Sequence, residues 1–164
     1  MPLLRSHRPP RRAPSRVRRR GESRGDGESR GDDHPRRRAR APGGESVDLL
    51  LAEGARARTV GLLGRDGLPQ RTGLLIPRCD SVHTVGMRFA IDVAFVRWPT
   101  PDGRVEVLAV TQHLRPWRLG RIRRRGRGLR RKQIAALELA AGQAAQLGLE
   151  AGAALELDGG PGGI

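Results

Sequence analysis

Two apolar runs, Ile91 to Val96 and Arg104 to Val110, flank Pro99-Thr100-Pro101-Asp102-Gly103, and no other part of the chain constrains its fold as tightly. The first run is apolar at every position except Asp92. Side chains alternate faces along a strand, so such a run reads as a strand buried on both sides. The second alternates well enough to be its neighbour. The residues between them have tight-turn chemistry, with Gly103 free to take positive φ. The spacing predicts an antiparallel hairpin with one deeply buried strand.

From Glu45 onward the rest of the chain keeps the same short rhythm. Val47 to Ala52, Leu74-Leu75-Ile76, Ala135 to Leu139 and Ala153 to Leu157 are further strand-length runs. Gly54 to Leu63 has the alanine and arginine content of a short helix, and Gln143 to Leu147 suits a helical turn or two. Glycine and proline punctuate the intervals at Gly64 to Gly67, Pro69 to Gly73 and Gly152. Many short strands with one or two short helices predict an α+β, mainly β domain, a small barrel or sandwich of largely antiparallel strands. The sequence has no βαβ repeat, Walker-type phosphate loop, GxGxxG after a strand, HExxH or GxSxG. The common nucleotide, metalloprotease and serine-hydrolase signatures are therefore missing, and no cofactor is expected.

The formal net charge of +15 would suggest a polyanionic partner if it were evenly spread. It is concentrated instead. Residues 1–43 hold 14 arginines against 5 acids, and residues 115–132 hold 10 basic residues and no acid. The remainder is mildly acidic. The first segment is Arg, Pro, Gly and Ser with almost no large apolar side chain, so burial cannot offset the entropy of ordering it. It contains the hexad GESRGD twice in tandem, Gly21 to Asp26 and Gly27 to Asp32, which is low-complexity duplication. We expect residues 1–44 to be a disordered tail, 45–158 one compact domain, and the glycine-rich 159–164 a frayed end.

One cysteine, Cys79, excludes an internal disulfide and an all-cysteine metal cage. Leu3-Leu4 is followed directly by arginine, too short for a secretory apolar region, and no window approaches a membrane span. The expectation is a soluble, cytoplasmic protein without a membrane partner.

Chemistry-bearing residues gather in Cys79 to Phe95, CDSVHTVGMRFAIDVAF. Cys79 and His83 would pair as nucleophile or half a metal site if the chain turned between them. On a continuous strand they share a face but stand about 13 Å apart, and a lone cysteine is more often a small buried hydrophobe. His83, followed by Thr84, offers a titratable imidazole and a hydroxyl near Gly86; the alternative is a histidine satisfied by a backbone carbonyl. Cys79, His83, Asp92 and His113 have no recognised metal-ligand spacing, so no metal is expected. Arg88 and Asp92 sit among residues that read as buried, where a charge needs a partner. Either they form a structural salt bridge with each other, or Arg88 presents its donor fork to a carboxylate or phosphate while Asp92 orients it or His83. Met87 and Phe89 read as core. Trp117 is either a lid over a ligand or an aromatic that packs a loop onto the barrel.

The run GRIRRRGRGLRRK places Arg121, Arg123, Arg124, Arg125, Arg127, Arg130, Arg131 and Lys132 together, an electrostatic footprint for a polyanion. With no Tyr, two Phe and two Trp, stacking platforms are scarce. Sequence-indifferent, salt-sensitive contact is the most it supports; the alternative is a solvated basic loop.

Over GLLGR at Gly61, Gly73 to Cys79, SVHTVGMRFAIDVAF from Ser81, LRPWR from Leu114 and LELAAG from Leu137, the chain resembles the family known as domain of unknown function 192. The likeness runs from about Val47 to Leu157. Members often carry proline where this chain has Ala90 and Ala140, which would loosen two rigid turns. The resemblance implies a mostly β domain with short flanking helices, widespread in prokaryotes, with no established activity. The functional expectation is a binding module for a small polar or anionic ligand, read by His83, Thr84, Arg88, Asp92 and Trp117. The alternatives are polyanion or nucleic-acid binding through the tail and residues 115–132, and a hydrolase or lyase with His83 as base.

Overall fold

The computed structural model describes residues 34–53, 62, 65–122 and 129–158, all within one compact unit spanning residues 33–164. Nine strands are described: β1 Arg36–Arg40, β2 Ser46–Leu51, β3 Thr72–Pro77, β4 Ser81–His83, β5 Ile91–Arg97, β6 Arg104–Leu114, β7 Leu119–Arg121, β8 Ile134–Ala140 and β9 Ala154–Leu157. A 3-10 turn covers Arg131–Gln133, and a single helical turn, α1, covers Gln143–Gln146. Seven strands close into a barrel in the order β1-β2-β3-β8-β5-β6-β9, and β4 pairs with β7 as a separate two-stranded ribbon. The pairings are antiparallel except β2 with β3.

Two apolar clusters explain why β3, β5 and β8 are hydrophobic on both faces. One cluster draws Ala39, Leu49, Leu75, Val96, Val107, Leu137 and Leu155 from every strand of the barrel and fills its interior. The other joins Leu74, Ile76, Ile91, Val93, Phe95 and Ile134 on the outer face to Val82, Met87, Leu114 and Ile122. The β4–β7 ribbon is thus a cover laid over three barrel strands. Gly120 allows the close approach: a Cβ there would stand 3.0 Å from Leu114 Cδ2.

The expected hairpin is present as β5 and β6, with Gly103 at φ 74. Strands expected at Val47, Leu74, Ala135 and Ala153 and the turn at Gln143 are all found within a residue or two. The helix expected over Gly54 to Leu63 falls outside the described residues but for Leu62, a buried member of the outer cluster. The ordered domain starts earlier than composition suggested, because Arg36–Arg40 is a strand. Its Ala39 is fully buried between Val47 and Leu157, while Arg36, Arg38 and Arg40 are exposed. One small inward residue suffices to close the barrel there. The rest of the expected tail, residues 1–33, and residues 159–164 lie outside the described residues.

Candidate functional site

A β-bulge sets the architecture of the barrel end that bears the site. Ile91 pairs with Leu114 but Val93 pairs with Thr111, so Gln112 and His113 together stand opposite Asp92. His113 takes φ 50, and its N–H donates to Asp92 Oδ1 at 2.8 Å. Asp92 Oδ2 accepts from the N–H of Ala144 in α1 at 3.0 Å. A carboxylate at 0% exposure is thereby satisfied by two main-chain donors, and it ties the bulge to the helical turn. His113 Nδ1 lies 3.9 Å from the same Oδ1, too far for a hydrogen bond.

The Arg88–Asp92 pair does not form. Arg88 is exposed, and its Nη1 lies 3.2 Å from Asp66 Oδ1. That surface pair contributes about 0–1 kcal/mol and is easily exchanged for a ligand. Asp92 satisfies its charge on backbone donors distant in sequence, which is why no side-chain cation is needed.

Thr84 is fully buried and acts as a clamp. Its Oγ1 donates to the Arg115 carbonyl at 2.6 Å and accepts from the Arg118 N–H at 2.9 Å. Its own N–H donates to the Arg118 carbonyl, and its carbonyl accepts from the N–H groups of Trp117 and Met87. These bonds fix the turn Arg115-Pro116-Trp117-Arg118 against the ribbon. Trp117 sits on that turn at φ 61, in the left-handed region.

Trp117 is 65% exposed, so it does not pack the loop onto the barrel. Leu119 at 61% and Val85 at 48% are the other large hydrophobic residues exposed among those described. All three stand together: Leu119 pairs with His83 across the ribbon, and Val85 follows the Thr84 that holds Trp117. Strand alternation puts Val82 and Gly120 inward and His83, Leu119 and Arg121 on the outer face. Arg115, Arg118 and Arg121 are exposed as well, and none of them forms an ion pair among the described residues. The sequence-predicted His83, Arg88 and Trp117 therefore lie at the surface, whereas Thr84 is buried beneath the Trp117 turn and Asp92 is buried on the opposite, inward face of β5, where it anchors the bulge to α1.

The polyanion-binding set is divided. Arg121 belongs to the exposed corner, but Arg131 Nε is held 3.1 Å from the buried Asp80 carboxylate. Arg130 and Lys132 are exposed, and Arg123, Arg124, Arg125 and Arg127 fall outside the described residues. Cys79 precedes β4, and its thiol donates to the Ser81 carbonyl at 3.0 Å. Burial raises its pKa and the charges of Glu138 and Asp80 add to the rise, which outweighs the lowering by the Ser81 backbone and the Arg131 charge. That environment suits an inert thiol rather than a nucleophile.

Three buried polar residues escaped the sequence reading: Asp80, Glu138 and Gln143. Glu138, on β8 between Leu74 and Val93, has its pKa pushed up to about 7 by burial. An acid within the apolar run IAALELA was the available signal. Gln143 is buried at the start of α1 with both amide atoms unpartnered, and nothing in its local sequence marks it. No group of three or more metal-ligating side chains occurs, and no helix is long and apolar enough to cross a membrane, among the described residues.

Solved structures share the fold. A protein of unknown function from Novosphingobium aromaticivorans DSM 12444 is 21% identical, with a TM-score of 0.57 over 75% of this chain and 84% of that one. A candidate transcription regulator from Sinorhizobium meliloti 1021 is 20% identical, with a TM-score of 0.58 over 76% of this chain and 95% of that one. No curated protein matches the chain. The model of the family domain of unknown function 192, described as an uncharacterized ACR, matches residues 38–157, almost the whole barrel with its ribbon, and the chain belongs to that family.

Proposed function

We infer that this domain is a binding module whose exposed Trp117 corner engages single-stranded nucleic acid without reading its sequence. The observation that carries this reading is Trp117 itself: an aromatic that is 65% exposed yet held at φ 61. Left-handed backbone costs an L-residue roughly 1–2 kcal/mol, and glycine would avoid that cost. A large aromatic there neither fills the core nor relaxes the turn, so its use lies outward.

The surroundings favour a polyanion that can stack. Trp117 offers a π-face, Leu119 and Val85 extend the apolar platform, and Arg115, Arg118 and Arg121 surround it with cations. Protruding side chains suit an extended partner better than a small ligand, which needs a concave site to be largely enclosed. His83 stands opposite Leu119 in the ribbon, and Arg88 is exposed on an exchangeable surface pair with Asp66.

The test uses the full chain and a fluorescently labelled dT12 oligonucleotide, followed by anisotropy at two salt concentrations. Stacking is worth about 1–3 kcal/mol per base, so Trp117→Ala should weaken binding roughly 5- to 100-fold. Removing Arg118 and Arg121 together should lower the slope of log affinity against log salt by about two. Replacing Arg36 and Arg38 together by alanine, a charge-matched change outside the corner, should behave like the wild type, and the basic tail is common to every variant. Equal affinity for Trp117→Ala and wild type would overturn the reading. Stronger binding to anionic vesicles or to an acidic peptide than to dT12 would assign the corner to another partner.

A further inference from the structure

The hairpin end of β5 lies about 20 Å from the bulge end, seven residues of strand away, and it carries a groove that the corner does not use. The groove encloses about 500 Å³ and is lined by Arg97, Thr100, Asp102, Arg104 and Glu106, with Gly152 and Ala154 beside them. It opens on the outer face of the barrel, because Val96, Val105 and Val107 turn inward. Space is available because Glu106 faces the small Ala154 across the β6–β9 pair.

Its polar groups are unevenly satisfied. Arg97 Nε donates to Glu106 Oε2 at 2.9 Å, which orients the guanidinium and leaves its Nη groups without a partner among the described residues. Asp102 Oδ1 accepts the main-chain N–H of Arg104 at 3.1 Å and fixes the turn. The Arg104 side chain is exposed and is engaged by no described residue. Thr100 Oγ1 is buried with no hydrogen-bond partner among the described residues.

We propose that this groove is a binding site for a small hydroxylated anion, a sugar phosphate or hydroxy acid. Its acidic group meets the Arg104 and Arg97 guanidinium groups, which suit phosphate and carboxylate alike. Its hydroxyls meet the free oxygens of Asp102 and Glu106. The carboxylates exclude large polyanions from the groove by repulsion, so this site and the Trp117 corner select different partners.

Amide chemical shifts of Gly103 and Gly152 in the full chain report occupancy at the groove itself. Glycerol 3-phosphate and glycerate are the two probes, with inorganic phosphate and glycerol each lacking one half of the chemistry. Saturable shifts at both glycines are expected for at least one probe, with phosphate at least tenfold weaker and glycerol silent. The stronger probe tells a phosphate site from a carboxylate site. Arg104→Ala should weaken binding at least tenfold. The proposal is overturned if neither probe moves these amides up to about 10 mM, where binding would be worth under 3 kcal/mol, or if Arg104→Ala binds as tightly as wild type.

Discussion

Replacing Asp92 by alanine tests the buried anchor that ties the β6 bulge to α1. The change removes the acceptor for two main-chain donors, the N–H of His113 at 2.8 Å and that of Ala144 at 3.0 Å. Hydrogen bonds to a charged group are worth about 1.5–3 kcal/mol each, and a buried donor left unpaired carries its own penalty. Part of the sum is returned because a fully buried carboxylate no longer has to be desolvated. The expected net loss is about 3–5 kcal/mol, a large share of the 5–15 kcal/mol typical of a domain. Asp92→Asn keeps one acceptor but turns an N–H₂ toward the other donor, so about 2–3 kcal/mol is expected. Urea unfolding followed by circular dichroism reads the difference; at a slope near 1.5 kcal/mol per molar, Asp92→Ala lowers the midpoint by about 2–3 M. Amide exchange at His113 and Ala144 should accelerate in step. A loss below about 1 kcal/mol for the alanine variant would refute the assignment of Asp92 as a main-chain anchor.

Three further outcomes follow from the same contacts. Glu138 has a folded pKa of about 7 against an ordinary 4.5. The folded state therefore holds its proton more tightly than the unfolded state, and stability falls as pH rises from about 4.5 to 7. Glu138→Gln should remove about 3 kcal/mol of that decline, read as a flatter plot of unfolding free energy against pH; an unchanged plot would contradict the burial argument. Thr84→Val keeps the side-chain shape but loses the clamp on Arg115 and Arg118, so about 1–3 kcal/mol should be lost and Trp117 emission anisotropy should drop. Trp117→Gly should leave the protein as stable as wild type or up to about 1 kcal/mol more so, because the left-handed turn is relaxed, while oligonucleotide binding weakens.

What the sequence made legible was whatever repeats within a strand. The hairpin, the doubly buried β5 and the apolar runs of β3 and β8 each announce themselves in four or more consecutive residues. β1 does not, because four of its five residues are arginine and only Ala39 faces the interior. The ribbon is three residues per strand, too short for alternation to register, and its partner strands lie far apart in the chain. The site followed the same rule. His83, Arg88 and Trp117 were picked as residue types, and all three reach the surface. The roles of Thr84 and Asp92 were not readable, because their partners lie 31 and 34 residues away in one case and 21 and 52 in the other. Proximity in sequence suggested Arg88 for Asp92, but β5 is a strand beginning at Ile91, so the four-residue spacing that would align them on a helix has no meaning there.

The central claim is that Trp117 is where the partner sits, and the chain has two tryptophans with which to ask. Trp98 is half-buried against the barrel core at the hairpin end, whereas Trp117 stands exposed at the other end. In Trp98→Phe all emission comes from Trp117, and in Trp117→Phe all of it comes from Trp98. Titrating each with dT12 should quench Trp117 saturably, as stacking requires, and leave Trp98 unchanged. Binding of dT12 with Trp117 emission unaltered would mean the corner is not the interface.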